Sequence, residues 1–230
     1  METRLLDIVY FVKDAPLNEE LRYSLRSVCK NMPHARVWIF GGLPRGIYPD
    51  VHIKIKQTGR TKWDKVRNMF IAACKNKELS EDFVLFNDDF FIMQPIDKIE
   101  PLYRCSLENH IKVLAKGSYR ELLTTVMNDL KHKNKTTLSY ELHTPFLFNK
   151  KKLLKLIENT PDLHCTRTLY GNIYKIGGEK SADVKVFNSR PTFDYRHSKM
   201  LSTDDSVMNI NNDVWRYIKK SFPDKCEYEA

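Results

Sequence analysis

Phe83-Val84-Leu85-Phe86-Asn87-Asp88-Asp89-Phe90-Phe91 places an acidic turn between two apolar runs, and its reading governs the rest of the chain. A strand apolar on both faces belongs inside a mainly parallel sheet covered on two sides. Adjacent carboxylates at the end of such a strand raise one another's pKa unless positive charge sits on them. A divalent cation removes that cost, and open α/β sheets bind ligands at the carboxyl ends of their strands. Hard oxygen ligands suit magnesium or manganese bridging a diphosphate. The plainer reading of Asp88 and Asp89, a helix cap or a solvated turn, stays open at this level.

Upstream of this segment the pattern alternates strand and helix. Ile8 to Val12 is a β-branched and aromatic run closed by Lys13-Asp14-Ala15-Pro16, which predicts a buried strand and a turn. From Asn18 to Asn31, Leu21, Leu25 and Val28 recur at helical spacing, with Asn18 as N-cap and Glu19 and Glu20 in the first turn. Arg36 to Phe40 predicts a second strand ended by Gly41-Gly42, Val51 to Ile55 a third, and Trp63 to Lys75 a helix leading to the acidic strand. Downstream, helical periodicity around Tyr119 to Leu130 marks residues of about 101–140 as a helical insertion in a single domain spanning 1–230. Glu141 to Phe148 and Val184 to Phe187 read as strand or extended chain, Lys150 to Glu158 and Asn212 to Ser221 as helices.

Composition narrows the classes. With 42% hydrophobic residues in 230, the chain is long enough to bury a sizeable core. No run approaches the roughly 18 uninterrupted apolar residues of a membrane span, and the first residues are charged, so no span and a cytoplasmic location are expected. The five cysteines are odd in number and far apart, which fits neither a disulfide framework nor closely spaced zinc ligands. His34, His52, His110, His132, His164 and His197 likewise carry no zinc spacing. A formal charge of +9 favours a polyanionic partner, nucleic acid included, although the cations are scattered into solvated-face runs such as Lys150-Lys151-Lys152. Neither a Gly-x-x-x-x-Gly-Lys-[Ser/Thr] loop nor a Gly-x-Gly-x-x-Gly turn occurs, which counts against P-loop and dinucleotide-binding readings.

Other residues are candidates for the same chemistry. Arg22 and Arg26 sit one turn apart on the first helix, while Arg60, Lys62 and Arg67 precede or enter the second, and guanidinium groups match phosphate oxygens bidentately. Against this stands a solvated helix face. Ser202-Thr203-Asp204-Asp205-Ser206 is a second acidic pair, either an ordinary helix start or a further metal contact or catalytic base. His143, in Glu141-Leu142-His143-Thr144-Pro145, lies at a strand end before proline, where a pocket position competes with a packing role.

Several of these stretches also carry a family resemblance. Asn18 to Val28 resembles the second signature block of the Stealth proteins, capsular sugar-phosphate transferases related to the lysosomal N-acetylglucosamine-phosphotransferase. Asp7 to Asp14 is similar to the first block, Leu79 to Phe91 to the acidic block, Glu141 to Phe146 to the His-x-Pro block, and Thr166 to Asn172 to its Arg-containing neighbour. Together they span about half of the chain. The resemblance implies a GT-A-type nucleotide-diphospho-sugar transferase fold, a nucleotide-sugar donor of which a UDP-sugar is the first expectation, and Mn2+ or Mg2+ at Asp88 and Asp89. It also implies roles for Asp14, Arg22, Arg26 and His143.

The chain departs from the family where Lys13-Asp14-Ala15-Pro16 replaces a Trp-Val-Asp-Gly turn, and where Lys62 to Asn68 replaces a Phe-Asn-Ser segment. The leading expectation is a metal-dependent glycosyltransferase. Asp88 and Asp89, with His143 as a further ligand, hold the metal; Asn87, Arg22, Arg26, Arg60 and Lys62 contact the donor; Asp205, His143 or Asp14 does the proton chemistry. The expected acceptor is polyanionic: hydroxymethylated pyrimidine DNA in a phage genome, which would put the enzyme in the host cytoplasm, or a capsule or wall polymer. The alternatives are transfer of sugar 1-phosphate to a capsule or wall glycan, and a non-catalytic nucleic-acid-binding protein.

Overall fold

The computed structural model describes residues 5–230 apart from 60, 162, 188, 189 and 210 and the side chain of residue 62. The chain divides into two compact units, one of Met1–Ile99, His143–Lys150 and Val184–Ala230, the other of Glu100–Leu142 and Lys151–Asp183. No helix among the described residues is long and apolar enough to cross a membrane.

The first unit is an α/β structure around a mainly parallel sheet. It opens with β1 (Asp7–Val12), α1 (Glu19–Asn31), β2 (Val37–Gly41), β3 (Val51–Ile53), α2 (Lys62–Lys75) and β4 (Asp82–Phe86). The four strands are parallel in the order β3-β2-β1-β4, with Ile8 opposite Val37 on one side and Val84 on the other. A fifth strand, which the sequence places at 141–148, runs antiparallel against β4 over Phe146–Asn149.

The sheet is covered on both faces, as period-2 side-chain alternation requires. Ile8, Tyr10 and Val12 face one core cluster with Leu21, Leu25 and Val28 of α1. On the other face Phe11 meets Phe70 of α2 edge-on at 4.9 Å, and Phe70 meets Phe148 at 5.6 Å. Asn18 caps α1 by accepting from Leu21 N at 2.9 Å, and Thr61 and Asp64 close a capping box on α2. Gly41 ends β2 at φ +110, where an added Cβ would lie 2.2 Å from Val12 O. Only glycine allows the ends of β1 and β2 to meet this closely.

Past the acidic turn, β5 (Phe90–Ile92) leaves the large sheet for a small one. Consecutive side chains there point to opposite sides: Phe90 enters the α1 cluster and Phe91 a second cluster. The second unit follows with β6 (Leu102–Tyr103), α3 (Leu107–Val113) and α4 (Ser118–His132). The chain returns to the first unit for the antiparallel strand, β7 (Phe146–Asn149). The second unit is completed by α5 (Lys150–Glu158, whose first residue belongs to the first unit), α6 (Thr166–Ile173) and β8 (Glu179–Lys180), which pairs with β6. Asn172 cross-braces this unit, bonding Thr136 Oγ1 at 2.7 Å and both backbone groups of Leu138, at 2.9 and 2.8 Å.

The last part of the first unit is β9 (Lys185–Val186), β10 (Met200–Thr203), a 3-10 turn (Asp205–Met208) and α7 (Asp213–Ser221). β10 lies between β5, antiparallel, and β9, parallel. Val214, Trp215 and Ile218 of α7 pack with Phe91, Val186 and Leu201 of this sheet.

At the amino end of the large sheet, Asp7 is fully buried yet bonded to Arg36 at 2.9 and 3.2 Å and to Ser80 N at 2.9 Å. Burial pushes its carboxyl up, but the bonds from Arg36 and Ser80 outweigh burial and hold it below its ordinary value. Because the folded pKa is depressed, this contribution is full above the unfolded value near 3.9 and is lost as pH falls through the folded pKa. Asp7→Ala should lower unfolding free energy at neutral pH by about 1–3 kcal/mol, the cost of orphaning buried partners. Urea titrations at neutral and acidic pH should show the variant losing less additional stability in acid than the parent does.

Candidate active site

The chain reverses direction of winding between β1 and β4. From β1 it steps to β2 and β3 on one side, then crosses to β4 on the other, which is the topological switch point where open α/β sheets hold ligands. Two segments fall at this end: Asn18 and Glu20 follow β1, and Asp88 and Asp89, the acidic pair singled out in the sequence, follow β4. The small sheet adds the third wall through Lys185, Thr203 and the Asp204-Asp205-Ser206 turn.

Glu20, Asp88, Asp89, Lys185, Thr203, Asp204, Asp205 and Ser206 line a cavity of about 790 Å³, of which Lys185 is the cation and Glu20 and the four aspartates the acids. Asp88 is fixed by Asn18, whose amide nitrogen donates at 2.7 Å while its oxygen caps α1. Asp89 is 8% exposed and receives Lys185 Nζ at 2.9 Å and Ser202 Oγ at 2.8 Å. Thr203 donates to Asp89 O through its backbone at 3.3 Å and to Glu20 Oε1 through its hydroxyl at 2.9 Å. Asp88 and Asp89 precede a strand and bond to groups distant in sequence, so neither is a helix cap. Asp204 is one: it accepts from Ser206 N at 3.1 Å and starts the 3-10 turn, leaving Asp205 exposed on the rim.

The electrostatics are those of a site short of positive charge. Burial pushes Asp88 up, aided by Asp89 and Asp205 and opposed by the Asn18 bond. Burial also pushes Glu20 up to about 7, the Thr203 bond opposing and Asp88, Asp89 and Asp205 reinforcing. Among the described residues one ammonium, that of Lys185, lines the cavity with these carboxylates.

The hard-oxygen donor set fits a magnesium or manganese ion. Among the described residues no three carboxylates of the cavity bring oxygens within 4.8 Å of one another.

No family model matches the sequence, and no curated protein matches it. Among solved structures, the apo form of the glycosyltransferase GlyE from Streptococcus pneumoniae TIGR4 is similar over 94% of this chain and 60% of its own, at 9% identity and a TM-score of 0.43. A second GlyE structure from that organism is similar over 78% of this chain and 45% of its own, at 8% identity and a TM-score of 0.36. An active-site mutant of LgtC is similar over 96% of this chain and 98% of its own, at 11% identity and a TM-score of 0.46. The chain thus spans about half of the length of the GlyE chains.

Arg22 and Arg26 bond to Glu229: Arg26 at 2.6 and 2.8 Å in a fork, Arg22 at 2.9 Å. Arg26 also donates to the carbonyls of Phe222 and Pro223, each at 3.1 Å. Neither arginine lines the acidic cavity. His143 packs edge-on against Phe187 at 5.8 Å, and Lys185 Nζ lies 5.8 Å from the same ring; His143 is not among the residues that line the cavity. Asp14 is exposed beside Gly42, and Asn87 is exposed and accepts from Phe90 N at 3.3 Å; neither lines the cavity. Arg60 and the Lys62 side chain lie outside the described residues.

Sequence reading missed Lys185, Ser202 and Thr203 as site residues and saw Glu20 only as a first-turn acid. Lys185 is 96 residues from Asp89, and no local pattern announces such a pair.

Two outcomes follow from these pairings. Glu229 has a fully buried carboxylate and Arg26 is 8% exposed. Glu229→Ala should therefore cost about 3–5 kcal/mol in chemical unfolding, the scale for stranding a buried partner. The raised Glu20 pKa works oppositely to that of Asp7. The folded state holds the proton more tightly, so stability falls as pH rises from the unfolded value of 4.5 to about 7. Thermal melts should show Glu20→Gln more stable than the parent at pH about 8, by up to about 3 kcal/mol, with the difference shrinking below pH about 5.

Proposed function

We propose that this chain is a GT-A-like, metal-dependent glycosyltransferase using a nucleotide-sugar donor, with its reaction centre in the acidic cavity at the carboxyl end of β4. The observation that carries the reading is the convergence of Asp88, Asp89, Glu20 and Asp205 at the switch point of a mainly parallel sheet, with Lys185 the one cation among the described residues of the lining. A diphosphate cannot enter such a field alone; it needs a cation with it. When bound, a divalent ion held by Asp88 and Asp89 supplies Lewis-acid stabilisation to the departing nucleotide diphosphate.

The chain's own groups do the rest in this reading. Asn18 holds Asp88 in one orientation through a side chain that is itself locked as the α1 cap. Ser202 and Lys185 hold Asp89, and the Lys185 ammonium gives the donor phosphates a second positive contact. Asp205, exposed on the rim, is the base proposed for the acceptor hydroxyl. The proposed acceptor is a polyanionic polymer such as modified DNA or a wall or capsule glycan, and the support for it is the formal charge of +9.

Nucleotide sugars should raise the melting temperature in the presence of manganese and lose that effect with chelator. Mass analysis of the products decides between the two transfers: an intact nucleoside diphosphate marks glycosyl transfer, and a nucleoside monophosphate marks transfer of sugar phosphate. Asp88→Asn and Asp89→Asn should each lower turnover on the order of 10²-fold or more while the fold is retained. Wild-type rates in both variants would overturn the reading.

A further inference from the structure

Away from the acidic cavity, the first unit gathers a second set of ligand-type side chains. Cys29 on α1, His34 just after it and Glu227 in the last residues present a sulfur, a ring nitrogen and a carboxylate oxygen that all lie within 4.8 Å of one another. Cys226 stands beside Cys29, close enough for the two thiols to influence one another. Nearly 200 residues separate its two halves, so the spacing of cysteines and histidines along the chain does not reveal it.

The imidazole is already oriented as a ligand. His34 Nδ1 is 2.8 Å from Met32 O, a carbonyl that can only accept, so the Nδ1 proton is placed there and Nε2 keeps its lone pair. A ligating histidine characteristically gives its other ring N–H to a backbone carbonyl in this manner. Nε2 lies 3.1 Å from the Tyr228 hydroxyl, a weak donor that a metal would displace. Met32, Ile96 and Tyr228 supply an apolar surround, and a cavity of about 440 Å³ bordered by Cys29 and His34 supplies a path in.

We propose that Cys29, His34 and Glu227 form a site for a borderline-soft divalent ion, of which zinc is the type, with Cys226 available as fourth ligand. The donor chemistry selects the metal: thiolate and imidazole suit zinc, whereas the all-oxygen cavity suits magnesium or manganese. Tetrahedral bonds of the usual zinc lengths put ligand atoms about 3.5 Å apart. The set, within 4.8 Å, must therefore contract by no more than about 1.3 Å to reach zinc spacing, and Glu227 is exposed, with room to swing inward. Binding releases the Cys29 thiol proton to solvent, and thiolate plus carboxylate then balance the charge of the ion.

The structural consequence is a staple. Glu227 lies two residues from Glu229, which holds Arg22 and Arg26, so a metal here ties the last residues to α1 by a second bond. α1 in turn carries Asn18 as its cap and Glu20 in its first turn. Metal loading at this site stiffens one wall of the acidic cavity from its far side.

Cobalt(II) is the probe, because thiolate ligation gives it a charge-transfer absorption that carboxylates do not. The reduced protein titrated with cobalt should develop this absorption stoichiometrically, and zinc, but not manganese, should abolish it by competition. Cys29→Ser and His34→Gln should lose it, and Asp89→Asn should retain it. Cys29 packs against the core, so a variant that keeps both sulfurs guards against misfolding: Tyr228→Phe removes the competing hydroxyl and should bind cobalt several-fold more tightly. The proposal is overturned if no charge-transfer absorption develops, if it survives Cys29→Ser, or if Cys29 and Cys226 oxidise to a disulfide equally fast with and without zinc.

Discussion

The side-chain amide of Asn18 is the joint on which the acidic site depends. Its oxygen caps α1 and its nitrogen holds Asp88, so one planar group sets the start of the helix and the orientation of the carboxylate after β4. An amide used at both ends has no spare rotamer. The ends of β1 and β4 are thereby tied across the point where the winding of the sheet reverses, and Glu20 is delivered to the cavity by the first turn of the same helix. Tyr10 and Ser24 extend the tie inward, with Ser24 Oγ donating to Phe90 O at 2.5 Å and lying 2.9 Å from Tyr10 Oη.

Around that joint the electrostatics are deliberately out of balance. Asp7, at the opposite end of β1, meets an arginine and a backbone donor and stays ionised below its usual range. Glu20 and Asp88 meet hydroxyl and amide partners too weak to offset burial beside other carboxylates, and both shift upward. The same residue type thus serves to lock the sheet at one end and to hold unneutralised charge at the other. Carboxylates buried beside one another without a matching cation are costly, and the upward shifts of Glu20 and Asp88 express that cost.

Arg22 and Arg26 show how a plausible phosphate clamp becomes a structural one. Two guanidinium groups one turn apart are geometrically suited to any forked oxyanion, and the nearest is the carboxylate of Glu229. Lys185 takes the position beside the acidic turn instead. Its ammonium is a compact charge on a flexible stem, free of the rigid alignment a guanidinium demands.

The sequence by itself determined what depends on near neighbours. Helical spacing and Asn18 located α1, glycine pairs and β-branched runs located β1 and β2, and the run from Phe83 to Phe91 located both the central acidic strand and the residues at its mouth. Those are effects of a few residues on one another, so they are written locally. Tertiary structure alone decided that β7 runs antiparallel, that Ser202 and Lys185 flank Asp89, that Glu229 takes both arginines, and that Cys29, His34 and Glu227 meet. Each of these pairs groups tens to hundreds of residues apart, and no periodicity encodes them. They exist because burying the apolar faces of the sheet and of α1 brings distant segments together, after which charge and hydrogen bonding select the partners.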